Sequence, residues 1–163
     1  MTRIAGCLAW VCLYAQDENP EWKYWSTCKA GSRAKYMAEM ELEGKAVIFT
    51  SVRTLAEIGA DKAVVKEETE QVGPDGKTDV DEDKIAVEKA KPSLWILKEL
   101  GTEEIEVKGK KLKCRVAQVH GGAHDPPKKM WLSAEIPGGV VKAESLEADK
   151  DKYKVTLVEY EKK

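Results

Sequence analysis

Two stretches of this 163-residue chain carry side chains whose types and spacing suit metal chemistry. His120-Gly121-Gly122-Ala123-His124-Asp125 sets two imidazoles and a carboxylate within six residues, donor types that hold zinc or copper. A structural zinc site is closed by four ligands, and the glycines leave these three loosely placed before Pro126-Pro127. The same residues describe a polar loop between strands. Asp79, Asp81 and Asp83 alternate as calcium ligands do, but the glycine and later glutamate of an EF-hand loop are missing. Neither stretch predicts a bound metal, and nothing predicts a cofactor.

Nucleophiles are equally poorly equipped. Ser133 follows Trp131-Leu132 without the Gly-x-Ser-x-Gly turn that exposes a serine for acyl transfer. Cys114 has no Cys-x-x-Cys partner, and carboxylates are too abundant here to single out a pair. A protein that does not catalyse is expected, with a metal-dependent enzyme at His120 and His124 as the catalytic alternative. Trp22, Trp25, Trp95 and Trp131 stand beside a single phenylalanine, Phe49. Trp95 and Trp131 are the candidate lining of an apolar ligand cavity; the competing role is core packing, with each indole N–H finding a partner.

Composition narrows the partners. Charged residues make up 34% of the chain, but 27 basic and 29 acidic side chains nearly cancel and are interspersed. A clustered basic face, the footprint of nucleic-acid binding, is not predicted. The length suits one domain with a real core.

The N-terminal fifteen residues stand apart. Arg3 supplies one positive charge, Ile4 to Ala15 carry none, and Gln16-Asp17-Glu18-Asn19-Pro20 turns polar again. That layout predicts a signal peptide over 1–15 and one domain over 16–163, with the mature protein exported to the periplasm or cell envelope. The apolar run is too short to span a bilayer, which needs about 20 residues. Ile4-Ala5-Gly6-Cys7 also matches the bacterial lipobox, a competing reading in which Cys7 is lipidated. Cleavage after Ala15 removes Arg3, Cys7 and Cys12, leaving 26 basic and 29 acidic residues, a net charge of −3. Cys28 and Cys114 remain, in a compartment that permits disulfides; a bridge between them and two separate buried thiols both fit the sequence.

The elements that must position these residues read mainly as strands. Ala34, Tyr36, Ala38, Met40 and Leu42 alternate with charged residues, Glu43-Gly44-Lys45 turns the chain, and strands follow over 46–55 and from about 62 to 72. Gly73-Pro74-Asp75-Gly76 is a strong turn signal. Residues 77–91 read as a charged loop entering a strand. Ser93 to Gly101 is the helical candidate, with Leu94, Leu97 and Leu100 on one side and Gly101 as its stop. Hairpins are expected around Gly109-Lys110 and Pro137-Gly138-Gly139, and a final strand over 153–160, after Ala148-Asp149-Lys150-Asp151. In that strand Tyr153, Val155 and Leu157 share one face, with Val158 and Tyr160 on the other. Trp22 and Trp25 fall in an N-terminal helix or arm covering an end of the sheet. The fold class is mainly β: a single strongly curved antiparallel sheet, half-barrel or barrel, of about eight strands with a short helix.

Trp131-Leu-Ser133, Ile136-Pro-Gly-Gly-Val-Val-Lys142 and Val155-Thr-Leu-Val-Glu-Tyr160 resemble landmarks of small uncharacterised exported bacterial proteins of the planctomycete type. Lys29-Ala-Gly-Ser32 and Gly109-Lys-Lys-Leu-Lys-Cys114 resemble further landmarks of that group. The strand order and late aromatic strand are similar to the LolA/LolB lipoprotein-carrier fold. That resemblance implies a half-barrel whose concave face, lidded by helix, holds acyl chains. It makes a lipid or lipoprotein the expected partner of a non-catalytic binding protein; the alternative is a structural or interaction protein whose sheet interior is filled by its own side chains.

Overall fold

The computed structural model describes residues 18–42, 45–72, 78–91, 94–121, 126–146 and 152–163. The expected signal peptide, the turns around Gly44, Gly73–Gly76 and 148–151, the cap at Ser93, and His124 with Asp125 lie outside the described residues. One helix, α1 (Pro20–Trp25), precedes nine strands: β1 (Arg33–Leu42), β2 (Lys45–Ile58), β3 (Lys62–Val72), β4 (Thr78–Glu88), β5 (Trp95–Val107), β6 (Lys110–His120), β7 (Lys128–Leu132), β8 (Val140–Ser145) and β9 (Tyr153–Glu161). All belong to one antiparallel sheet in the order β4-β3-β2-β1-β9-β8-β7-β6-β5. It consists of two four-stranded meanders joined through β9.

The connectivity requires the sheet to curl. Laid flat, nine strands would separate the outer pair by about 38 Å at the usual spacing of about 4.8 Å. Yet β4 and β5 are those outer strands, and only residues 89–94 connect them, a reach of at most about 24 Å. The two edges are therefore drawn together at that end, giving a half-barrel. The start of α1 is tied to the same connection: Asn19 accepts from the Glu21 amide at 3.0 Å, and its Nδ2 donates to the Glu88 and Lys91 carbonyls at 3.1 and 2.9 Å. Pro20, whose fixed φ suits the first helical turn, follows directly.

The period-two pattern reports the faces correctly in β1, where Ala34 and Tyr36 are buried and Arg33, Met37 and Glu39 exposed, and in β6, where Leu112, Cys114 and Val116 are buried. The core has two parts. One joins β1 and β5–β9 around Leu112, Val116, Trp131 and Leu157. The other packs Trp25 and Cys28 on Leu55, Ala63, Val65 and Val87, so α1 covers the concave face at its β2–β4 side.

Three expectations are corrected. Residues 95–101 form part of β5, not a helix. Its register on β6 shifts between Ile96 and Lys98 and again between Glu99 and Gly101, so Leu97 and Leu100 are extra, bulged residues. The two insertions produce a spacing of three that imitates a helix. Residues 78–88 are not a loop: they pair with β3 along their whole length, from Thr78 opposite Val72 to Glu88 opposite Lys62. Tyr160 lies on the core face of β9, because Val158 is bulged: Lys35 pairs with Glu159 and Tyr36 with Leu157, which turns Tyr160 inward opposite Ala34.

The Pro-Gly-Gly segment does join two strands, but its seven residues also form a seat. β7 ends at Leu132, and Ser133 N–H and Gly139 N–H close the turn on the Gly139 and Ile136 carbonyls at 2.8 and 2.9 Å. Ile136 and Pro137 are buried within it. Gly138 and Gly139 adopt φ of +75° and +82°, and the rings of Trp25 and Tyr24 lie against them. Among the described residues no helix is long and apolar enough to cross a membrane.

Candidate functional site

Facing residues of paired antiparallel strands point to the same side, which fixes the wall of the concave groove. Tyr36, Ala38 and Met40 of β1 oppose Ser51, Phe49 and Val47 of β2, and Val155 and Tyr153 of β9 oppose Ala38 and Met40 from the other side. Across β8 and β7 the same face continues through Ala143 and Met130. Apart from Val47, these side chains line a cavity of about 410 Å³, open to solvent and mostly apolar, with Leu94 and Val140 adding to its apolar wall. The size lies within the range of small-molecule sites, roughly 300–1,000 Å³.

One end of the cavity is polar. Arg53 of β2 reaches Glu67 of β3 with Nε 2.9 Å from Oε1, and its Nη1 lies 3.5 Å from Glu21 Oε1 of α1. The Ser51 hydroxyl donates to the same Glu67 oxygen at 2.7 Å. Burial raises the cost of ionising Glu67, but the hydrogen bonds and charge of Arg53 and the Ser51 hydroxyl outweigh it and hold the carboxyl below its usual range. Burial likewise works against the Arg53 charge; the Glu67 hydrogen bond and the two carboxylates more than offset it, and the guanidinium stays ionised. Tyr36 is buried beside this cluster, and its phenol is pushed well up, chiefly by loss of solvent. Tyr153 is raised by the same cause, and Lys128 Nζ lies 5.1 Å above its ring at the rim.

Neither Trp95 nor Trp131 is among the side chains that wall this groove. Trp131 alternates with Met130 and points to the opposite face of β7, where Val116 and Lys142 are its register partners. Its Nε1 donates to Glu103 Oε2 at 2.6 Å, and the ammonium groups of Lys129 and Lys142 lie 4.4 Å from its ring centroid. This is the core role with a satisfied indole. Trp95 is 39% exposed and stacks on His120 at 6.5 Å between centroids.

The structure does not bring Cys28 and Cys114 together. Both are free, buried thiols, Cys28 under α1 and Cys114 in the larger core; burial is the main cause raising the Cys114 thiol. No group of three His, Cys, Asp or Glu side chains among the described residues is placed to hold a metal. Sequence reading singled out the inward face of β1 but missed Arg53 and Glu67, because their meeting depends on the β2–β3 register. Opposite charges on the two consecutive strands of a hairpin, Arg53 two residues before Leu55 and Glu67 two residues after Val65, were the available signal.

No family model and no curated protein matches the chain. Among solved structures, the chain is similar to a protein from Bacteroides fragilis described as exported and of YmcC-like fold, at 8% identity and a TM-score of 0.49, over 85% of this chain and 99% of that one. It is also similar to a DUF1329 family protein from Desulfovibrio piger, at 7% identity and a TM-score of 0.31, over 87% of this chain and 90% of that one. At these identities and scores neither likeness speaks to a ligand or an activity.

Proposed function

We propose that this chain is a non-catalytic binding protein, exported to the cell envelope, that holds the apolar chain of a lipid in the concave groove of its half-barrel. The observation that carries the reading is the cavity of about 410 Å³ walled by Tyr36, Met40, Phe49, Met130, Tyr153 and Val155. A sheet interior filled by its own side chains would leave no such space, and leaving apolar side chains around an open cavity forgoes their packing contacts. The groove has one polar end and an apolar body, the division expected of a site for an amphiphile. Export rests on the apolar segment from Ile4 to Ala15, and a lipid cargo accords with the lipoprotein-carrier resemblance of the strand pattern.

The test is binding of the neutral fluorescent probe N-phenyl-1-naphthylamine to the purified protein. Saturable binding at one probe per chain is expected. Ala38→Trp, which places an indole in the middle of the groove, removes that binding while leaving the far-ultraviolet circular dichroism unchanged. Absence of saturable binding to the wild type, or undiminished binding to a folded Ala38→Trp variant, overturns the reading.

A further inference from the structure

The concave face is not evenly charged, and the imbalance lies on one wall. On the outer face of β3 and β4, Glu68 opposes Glu82, but the next pair on that face is Lys66 opposite Lys84, so each carboxylate has an ammonium as a diagonal neighbour. On the concave face the sequence of pairs is Glu67–Asp83, Thr69–Asp81 and Gln71–Asp79. Glu21 adds a fifth carboxylate from α1. Against these five, the described residues of β2, β3 and β4 place Arg53 beside the wall, and Lys45 on the same face of β2 but past the end of β3, where the β1–β2 hairpin turns. Lys128 stands across the groove on β7, over the ring of Tyr153. Like charges directly opposed across a ladder are unfavourable, so a positive charge brought to this wall lowers the energy of the face and a negative one raises it.

The cavity meets that wall at Glu67 and Thr69, with Asp79, Asp81 and Asp83 standing beyond its lining on the exposed part of β4. Tyr36, Phe49 and Tyr153 bring three aromatic rings to its lining, and aromatic faces attract ammonium groups, most strongly where water is partly excluded. An ammonium already lies over one of these rings, in the form of Lys128 at 5.1 Å from Tyr153.

We infer that the amphiphile bound in this groove is cationic: a single apolar chain ending in an ammonium head, with the chain in the apolar body and the head at the Glu21–Arg53–Glu67 end facing the acidic wall of β3 and β4. This rests on the groove being the binding site, and it excludes a fatty acid or an alkyl sulfate as the preferred occupant.

The experiment displaces N-phenyl-1-naphthylamine from the wild type with dodecyltrimethylammonium, dodecanol and dodecyl sulfate. All are kept below their micellar concentrations, and circular dichroism monitors the fold. Dodecyltrimethylammonium is expected to bind about tenfold or more tightly than dodecyl sulfate, with dodecanol between them and tetramethylammonium too weak to compete. Glu67→Gln and, separately, Glu21→Gln each weaken the cation several-fold more than they weaken dodecanol; the second variant preserves the Arg53–Glu67 pair should the first perturb the sheet. Equal or tighter binding of dodecyl sulfate, or variants that weaken dodecanol as much as the cation, overturns the cationic head while leaving the groove intact. If no chain competes with the probe, the groove reading itself fails, and this inference with it.

Discussion

Gly138 lies directly beneath the indole of Trp25: a β-carbon on Gly138 would stand 2.9 Å from Cζ2 and 3.0 Å from Cε2 of that ring. The helix that closes one end of the half-barrel and the hairpin joining β7 to β8 thus touch at a point where only hydrogen fits. The backbone of Gly138 is also in the left-handed region, at φ +75°.

Gly138→Ala therefore combines a left-handed alanine, costing about 1–2 kcal/mol, with a clash against a buried ring, costing about 1–3 kcal/mol. A loss of roughly 2–5 kcal/mol in urea unfolding is expected. A change below about 0.5 kcal/mol, the scale of an ordinary surface substitution, would mean that α1 does not pack on this turn.

Glu67 gives the protein an acid-sensitive contribution. Its carboxyl is below the usual range in the folded state, held there by Arg53 and Ser51 against the opposing effect of burial. The unfolded carboxyl titrates near about 4.3. A depressed folded value means stability that is present above the unfolded value and lost as pH falls through the folded one. Urea midpoints measured from pH 6 to pH 3 should fall less steeply in Glu67→Gln than in the wild type; parallel profiles would contradict the pairing.

Tyr36 acts at the other end of the scale. Burial raises its phenol well above the ordinary value, so the folded protein keeps the proton while the unfolded chain releases it above about pH 10. Stability attributable to this group is present below that value and declines as pH rises beyond it. Tyr36→Phe should flatten the alkaline loss of stability, and ultraviolet titration at 295 nm should show one fewer late-ionising tyrosine.

Trp131 and Glu103 form a pair readable by NMR. The indole N–H bond is the leading cause holding the Glu103 carboxyl below its usual range, with Lys129 and Lys142 adding to it. Trp131→Phe should raise the Glu103 titration midpoint and destabilise the protein by about 1–3 kcal/mol through the volume lost from a buried site. An unmoved Glu103 midpoint would contradict the 2.6 Å bond.

What the sequence made legible was alternation, wherever alternation is undisturbed. The faces of β1 were readable because that strand buries one side, and the Leu112–Cys114–Val116 stripe of β6 because the alternation holds up to Val116, beyond which Ala117 and Val119 bury the other side as well. Bulges defeated the same reasoning: Leu97 and Leu100 are insertions in β5, and Val158 is one in β9, each reversing the in-out phase of the neighbouring residues. The acidic strand β4 was obscured for another reason. Aspartate disfavours strands in isolation, and only pairing with β3 along its length holds Asp79, Asp81 and Asp83 extended. The Arg53–Glu67 contact depends on the exact register of the β2–β3 hairpin, which shifts between Leu55 and Glu57 in a way that alternation alone does not reveal.

The position of β9 between β1 and β8 governs the order of assembly. Each meander can pair as it emerges, neighbour with neighbour, but the strand that unites them comes last in sequence and must insert at the centre. A chain delivered vectorially, whether by a ribosome or through a translocation pore, keeps its halves separate until that keystone arrives. Its slow step is then closure over long sequence separation. Until then the facing edges of β1 and β8 stay open, and chaperone capture or mispairing with another chain has its opportunity there.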